Sequence, residues 1–67
     1  MEQEKILDRV YGVVRRQTGG GEYLDVSSIS GLAAYAMEKA QMFDRRHPYW
    51  AKEHQILRVA RLTIEEV

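Results

Sequence analysis

Two interruptions of the apolar pattern divide this chain of 67 residues into three segments. The first is Thr18-Gly19-Gly20-Gly21, and glycine readily adopts the left-handed backbone that ends a helix. The second is Arg45-Arg46-His47-Pro48, where proline disfavours a helical residue before it and suits the first turn of a new helix. Each segment between these breaks must therefore form its own secondary structure.

The first segment, residues 3–17, has the pattern of an amphipathic helix. Its apolar residues recur three and four positions apart and fall within about 120° on a helical wheel, with charged residues on the other side. A helix is predicted over 3–17, although Gly12 on its polar face costs about 1 kcal/mol relative to alanine. The apolar stripe consists of Ile6, Leu7, Val10, Val13 and Val14.

The second segment begins with alternating polar and apolar residues over 22–26. This alternation is typical of a short strand or of an extended arm, and both interpretations stay open. Asp25, Ser27 and Ser28 can each cap the start of a helix that is predicted over about 28–45. The core face of that helix is rich in alanine, which allows close approach of a neighbour. Its members are Ile29, Leu32, Ala33, Ala36, Ala40 and Phe43.

A third helix is predicted over about 49–66, with a broad apolar arc that includes Trp50, Leu57 and Ala60. Together the segments predict an all-α fold, a single three-helix domain over 1–67 with a short extended segment at 22–26. A chain of this length has a thin stability margin. It contains no cysteine, so a disulfide cannot widen that margin, and association with a partner is a common alternative.

Residue types that could support catalysis or metal binding are present, but their spacing argues against both. His47 and His54 lie on either side of a helix start and match no closed zinc pattern with Asp44 or Glu53. The serines near residue 28 are explained as helix caps, and the glycine run lacks the Lys-Ser/Thr of a phosphate-binding loop. We therefore expect no enzyme activity, no metal, no cofactor and no small-molecule substrate.

Hydropathy gives no indication of a membrane span. No stretch approaches the roughly 20 consecutive apolar residues that a span requires. The first residues, MEQEKILD, are acidic and polar where a signal peptide would be basic and then apolar. We therefore expect a cytoplasmic protein that does not bind membranes.

Basic residues are concentrated late in the chain, although the net charge is zero. Residues 45–61 hold five Lys/Arg and one Glu, a net charge of +4, and include Tyr49 and Trp50. Cations and aromatic rings together suit phosphates and stacked bases, so nucleic-acid binding is an alternative function. Against it stands the neutral total charge, because nucleic-acid-binding domains are usually basic. The residues of this alternative are Arg45, Arg46, Lys52, Arg58 and Arg61.

Apolar residues outside the core stripes favour protein binding instead. Tyr35 and Met42 form a second stripe on the second predicted helix, and Val59 and Leu62 lie outside the main arc of the third. Such a surplus indicates a surface that another chain buries, most commonly in a two-fold dimer. The leading hypothesis is a non-catalytic protein-protein interaction module that forms a homodimer. It would act as an accessory, regulatory or inhibitor protein, or as a component of a phage or mobile element.

The run Ser27 to Tyr35 (SSISGLAAY) resembles the start of the second helix in the small phage head-tail joining proteins of the W type. The resemblance covers under a fifth of the chain and consists of a serine cap followed by an amphipathic helix. Those proteins carry a β-hairpin where this chain has only residues 19–26, so the family is not assigned. The resemblance implies a phage or mobile-element origin as one option.

Overall fold

A computed structural model describes residues 9–63, which form a three-stranded antiparallel sheet with two helices. The strand order is β2-β1-β3, so β1 is the central strand. Both neighbours run antiparallel to β1, so β2 and β3 are parallel to each other and the helices connect them. In chain order the elements are β1 (Val10–Gln17), β2 (Glu22–Ser30), α1 (Ala33–Arg46), α2 (Pro48–Glu53) and β3 (His54–Leu62).

The all-α prediction is wrong for the first segment, because residues 10–17 form the central strand of a sheet. This stretch is rich in β-branched and aromatic residues, which pack well on a pleated surface. Its valines recur at spacings that fit a helix, but they also supply apolar side chains to both faces of a strand. Residues 1–8, where the predicted helix begins, lie outside the described residues.

The prediction also fails for the third segment, where six residues are helical in the part of the segment that the structure describes. α2 begins at Pro48, the position that proline favours in a helix, and ends at Glu53. The chain then continues directly into β3, which pairs with β1 along nearly its whole length. The pairing shifts register between Val14 and Arg15, where β3 carries one extra residue. Residues 64–67 lie outside the described part of the chain.

The glycine run forms the turn between β1 and β2 and does not end a helix. Gly19 has a φ of 76°, a left-handed conformation that glycine adopts without strain. The Gly20 N–H donates to the Gln17 carbonyl oxygen at 2.9 Å and closes the turn. After this turn, the extended segment predicted at 22–26 is a strand and not a free arm, and it continues to Ser30.

The second predicted helix is present as α1, but it begins at Ala33 rather than near residue 28. The serines predicted as caps lie in β2, and the residue before α1, Leu32, makes no side-chain cap. Ser28 is fully buried: its hydroxyl oxygen accepts the Val13 N–H at 2.8 Å, and its hydroxyl donates to the Asp25 carbonyl at 2.6 Å. This side chain stabilises a large irregularity in β2, where the pairing with β1 shifts register.

The core lies between α1 and the sheet. Val13 on β1 and the small residues Ala36 and Ala40 on α1 are buried, and the alanines let the helix approach the strands closely. Tyr11, Ile56 and Val59 pack around them. Neither helix within residues 9–63 has the length and apolar character needed to cross a bilayer.

Candidate interaction surfaces

The side of the sheet that faces away from the helices carries a continuous group of apolar residues. Side chains alternate along β1, so Tyr11, Val13 and Arg15 face α1 while the residues between them face the other way. Cross-strand pairing then places Leu62 beside Val10 and Leu24 beside Val14. We call this surface the open face; its members are Val10, Gly12, Val14, Leu24, Ile29 and Leu62.

Gly12 lies at the centre of the open face, where neighbouring side chains close over it. A Cβ atom at this position would lie 2.7 Å from Leu24 Cδ1, 3.4 Å from Leu62 Cδ1 and 3.5 Å from Ile29 Cγ1. The missing side chain therefore lets three aliphatic side chains from both edge strands meet above the central strand. This close packing explains the glycine at position 12, which would only have destabilised the helix predicted there.

A mixed group of charges borders the open face near the turn between β1 and β2. One carboxylate oxygen of Glu22 accepts from Arg58 at 2.9 Å, and the other lies 3.4 Å from the Arg16 guanidinium. The Arg58 hydrogen bond, together with its charge and that of Arg16, holds the pKa of Glu22 below its usual value. All three side chains are at least two-fifths exposed, so this border contains both signs of charge in contact with water.

The opposite face of the sheet contains a fully buried arginine. Arg15 Nε donates to Asp25 Oδ2 at 2.7 Å, and its Nη1 donates to the His54 carbonyl at 2.8 Å. Its Nη2 lies 3.0 Å from Asp44 Oδ1, and its guanidinium carbon lies 4.8 Å from the centre of the Trp50 ring. Burial alone would lower the pKa of Arg15, but the hydrogen bonds and charges of the two aspartates raise it overall.

This buried arginine joins all parts of the described fold, because its partners lie on β2, α1 and the start of β3. Burial alone would raise the pKa of Asp25, but hydrogen bonds from Ser27 and Arg15 lower it overall. Most donors and acceptors of the cluster meet one another; the exception among the described residues is the buried Asp44 Oδ1, which accepts no hydrogen bond although it lies 3.0 Å from Arg15 Nη2. We therefore interpret it as the polar centre of the core, which replaces apolar packing in a very small protein.

A row of aromatic rings continues from this centre toward the surface. The Tyr23 hydroxyl lies 2.8 Å from His54 Nδ1, and Trp50 stacks on His54 with ring centres 4.0 Å apart. Phe43 contacts Trp50 at 5.0 Å and His47 at 4.3 Å. Burial raises the pKa of Tyr23. Residues 9–63 contain no group of three side chains arranged to hold a metal ion.

The outer side of α1 carries a second exposed surface. A shallow cleft of about 320 Å³ is lined by Lys39, Met42, Phe43, Arg46 and His47, and we call it the cationic cleft. Met42 and Phe43 are 43% and 38% exposed, so two large apolar side chains reach the surface of this cleft. Both charged residues of the lining are basic.

The four residues predicted to bind a partner lie in three different places. Tyr35 and Met42 are exposed on α1, Leu62 belongs to the open face, and Val59 packs against the buried core. The sequence pattern therefore led to two surfaces and one core residue. It missed the centre of the open face, because the residues there were assigned to different predicted elements: a first helix that does not form, the extended segment and the core face of the second helix. Alternation along β1 was the signal that could have identified this face.

The five basic residues of the nucleic-acid alternative do not form one surface. Arg45 and Arg46 lie in the last turn of α1, and Lys52 lies in α2 with its ammonium 5.8 Å from the centre of the Tyr49 ring. Arg58 and Arg61 pair with Val14 and Tyr11, residues on opposite faces of β1. Cations on β3 therefore point to both sides of the sheet.

No protein-family model, curated protein or solved structure matches the chain. The run Ser27 to Tyr35, which resembles the start of a helix, is a strand through Ser30 and becomes helical only at Ala33.

Proposed function

We propose that this protein is a non-catalytic interaction module that self-associates as a two-fold dimer, with the open face of one copy packed on that of another. The observation that carries the proposal is an apolar sheet surface with no helix over it among residues 9–63. In antiparallel sheets with one solvated face, that face is normally polar. Here its centre consists of Val14, Leu24, Ile29 and Leu62 around Gly12.

Charge favours a second copy as the occupant of this face. The border contains Glu22 between Arg16 and Arg58, so it presents both signs within a few ångströms. In a two-fold arrangement the same patch meets itself, and a patch of mixed sign can place a carboxylate near a guanidinium of its partner. A patch of one sign would repel its copy.

The size of the open face indicates a weak dimer. Three strands of eight or nine residues, spaced about 4.8 Å apart with about 3.4 Å per residue, cover roughly 400 Å². This value is about half of the roughly 800 Å² per partner of a standard interface. We therefore expect dissociation constants in the micromolar range.

Sedimentation velocity tests the proposal from about 1 μM to about 1 mM, a range that brackets weak interfaces. The expected result is a rise from the mass of one chain toward twice that mass. Ile29→Lys should abolish the rise, because it places a cation on an exposed part of the open face. Met42→Lys is the matched control, because the Met42 side chain has similar exposure but lies on the opposite side of the molecule. This variant should dimerise as the original chain does.

Two results would contradict the proposal. The first is a constant mass of one chain over the whole concentration range. The second is a dimer that Met42→Lys disrupts as strongly as Ile29→Lys does, because this result would place the contact on α1.

A cytoplasmic location is part of this proposal. The absence of cysteine means that folding requires no oxidising compartment. Fractionation of the native host, followed by detection of the chain with an antibody, tests the location. Recovery outside the cytoplasmic fraction would contradict it.

A further inference from the structure

The cationic cleft combines apolar walls with charges of one sign. Lys39, Met42, Phe43 and Arg46 recur three, four and seven residues apart, so they lie along one side of α1. His47 closes the cleft at the end of the helix. No acidic side chain belongs to this lining, in contrast to the border of the open face.

The apolar wall of the cleft is held in place by its neighbours. The Phe43 ring contacts both His47 and Trp50, and Trp50 in turn stacks on His54. Lys39 is also fixed, because its ammonium donates to the Ile29 carbonyl at 3.0 Å and retains further donors for a ligand. A site whose side chains are already ordered loses less entropy on binding.

We propose that the cationic cleft binds an acidic peptide segment of another protein. One apolar side chain of the peptide packs against Met42 and Phe43, and carboxylates on either side of it pair with Lys39 and Arg46. A second copy of this chain is a poor occupant, since two-fold contact would bring these cations together. This site goes beyond the proposed dimer and lies on the other side of the molecule.

Nucleic acid fits the cleft less well than an acidic peptide does. Binding of single strands relies on aromatic faces that bases can stack on. The two aromatic rings of the lining, Phe43 and His47, already contact each other, and Phe43 also contacts Trp50. Tyr49 is 84% exposed but lies on α2 outside the lining.

Fluorescence anisotropy with a labelled peptide of Asp and Glu residues around one central phenylalanine tests this inference on the full chain. We expect measurable binding below about 1 mM that weakens as salt is raised. Replacing the central phenylalanine with glycine should weaken binding about tenfold, and replacing all acids with lysine should abolish it. A short oligothymidylate with the same label should bind more weakly than the acidic peptide.

Matched charge reversals locate the site. Arg46→Glu should weaken peptide binding by about tenfold or more, because it reverses a charge in the lining. Lys52→Glu makes the same change at an exposed residue of α2 outside the lining and should change affinity by less than about threefold. Circular dichroism confirms that both variants retain the fold. In Met42→Lys, the difference in affinity between the phenylalanine peptide and the glycine peptide should become smaller, because the apolar wall of the cleft is lost.

Several results would overturn the inference. These are no binding of the acidic peptide, equal loss in Arg46→Glu and Lys52→Glu, or tighter binding of the oligothymidylate. A Leu62→Lys variant separates this site from the dimer, because Leu62 belongs to the open face and does not line the cationic cleft, so the variant should bind the peptide as the original chain does. If Leu62→Lys loses peptide binding while folded, the cationic cleft is not an independent site.

Discussion

The two exposed surfaces differ in both shape and charge, and the difference determines what each can bind. The open face is aliphatic, lies on the sheet and has arginines on both sides of Glu22 at its border. The cationic cleft is formed by one helix, contains an aromatic ring and has only basic charges. Mixed charge permits contact between identical surfaces, whereas charge of one sign requires a partner of opposite sign. The two proposals therefore assign self-association and recognition of another protein to separate surfaces of a chain of 67 residues.

Arg15→Leu is expected to have the largest effect, because it disrupts both surfaces at once. Loss of the guanidinium leaves Asp25 and Asp44 without their cation and removes the link between α1 and the sheet. Breaking a buried ion pair costs about 3–5 kcal/mol, a large share of the stability of so small a domain. Urea denaturation monitored by circular dichroism measures this loss.

The neighbouring arginine provides the control for that experiment. Arg16 is more than half exposed and pairs only with Glu22 among the described contacts, so Arg16→Leu should change stability by less than about 1 kcal/mol. Equal losses in the two variants would show that the buried cluster is not the centre of the fold.

Ser28→Ala is expected to disturb the open face more than the cationic cleft. It removes the acceptor of the buried Val13 N–H, and an unsatisfied buried donor costs about 1–3 kcal/mol. The same hydroxyl stabilises the irregular part of β2 that leads to Ile29. Sedimentation should show weaker dimerisation while peptide binding to the cleft is preserved. Preserved dimerisation with impaired peptide binding would reverse the assignment of the two surfaces.

Acidic pH should weaken dimerisation through the open face, because it removes the negative charge of Glu22. The pKa of Glu22 is depressed in the folded chain, so its contribution is present above the ordinary carboxyl value of 4.5 and is lost as the pH falls through the lower folded value. Protonated Glu22 leaves only arginines at the border of the open face, so dimerisation should weaken.

Glu22→Gln reproduces that change at neutral pH, where the rest of the chain keeps its charges. We expect about threefold weaker dimerisation and no effect on the cationic cleft. The measurement is sedimentation velocity of both chains at the same concentrations. Unchanged dimerisation would show that the border does not contribute to association.

The lowered pKa of Asp25 makes the stability of the fold depend on pH in the same direction as dimerisation does, because the stabilisation is lost on acidification. Its pKa lies below the ordinary value of 3.8, so its stabilisation of the fold is lost as the pH falls below that value. The urea midpoint should decrease over this acidic range, and Asp25→Asn should remove that part of the dependence. A midpoint that stays constant as the pH falls through this range would contradict the buried pairing with Arg15.

Gly12→Ala is expected to have the smallest effect on stability. The added methyl must displace the flexible end of Leu24, but alanine also disfavours the unfolded chain relative to glycine. These opposing effects should leave stability within about 1 kcal/mol of the original. Dimerisation should still weaken, because the shape of the open face changes at its centre. Stability and dimerisation that both stay unchanged would argue against close packing on this face.

The sequence predicted some boundaries and surfaces, but not the fold. Alanine spacing correctly predicted that Ala36 and Ala40 face the core, although Ala33 of the same predicted face is exposed, and Pro48 identified the start of α2. The strands were missed because valine-rich stretches such as residues 10–14 satisfy helical and alternating spacing alike. Pairing between strands decided the outcome, and that pairing joins residues far apart in sequence.

Arg15 shows why the polar core could not be predicted from the sequence. Beside Arg16 at the end of a helical pattern, it has the place of an exposed cation. Its burial depends on Asp25 and Asp44, which lie 10 and 29 residues further along the chain. Only the alternation of Tyr11, Val13 and Arg15 along a strand indicates that the arginine shares their face.

The turn between β1 and β2 also offers a place for a spectroscopic probe. A side chain at Gly21 would meet no atom within 4 Å, and its backbone conformation is one that ordinary residues adopt. Because the chain contains no cysteine, Gly21→Cys would create a unique thiol for attachment of a fluorophore. Energy transfer between two labelled copies could then report their relative orientation in solution.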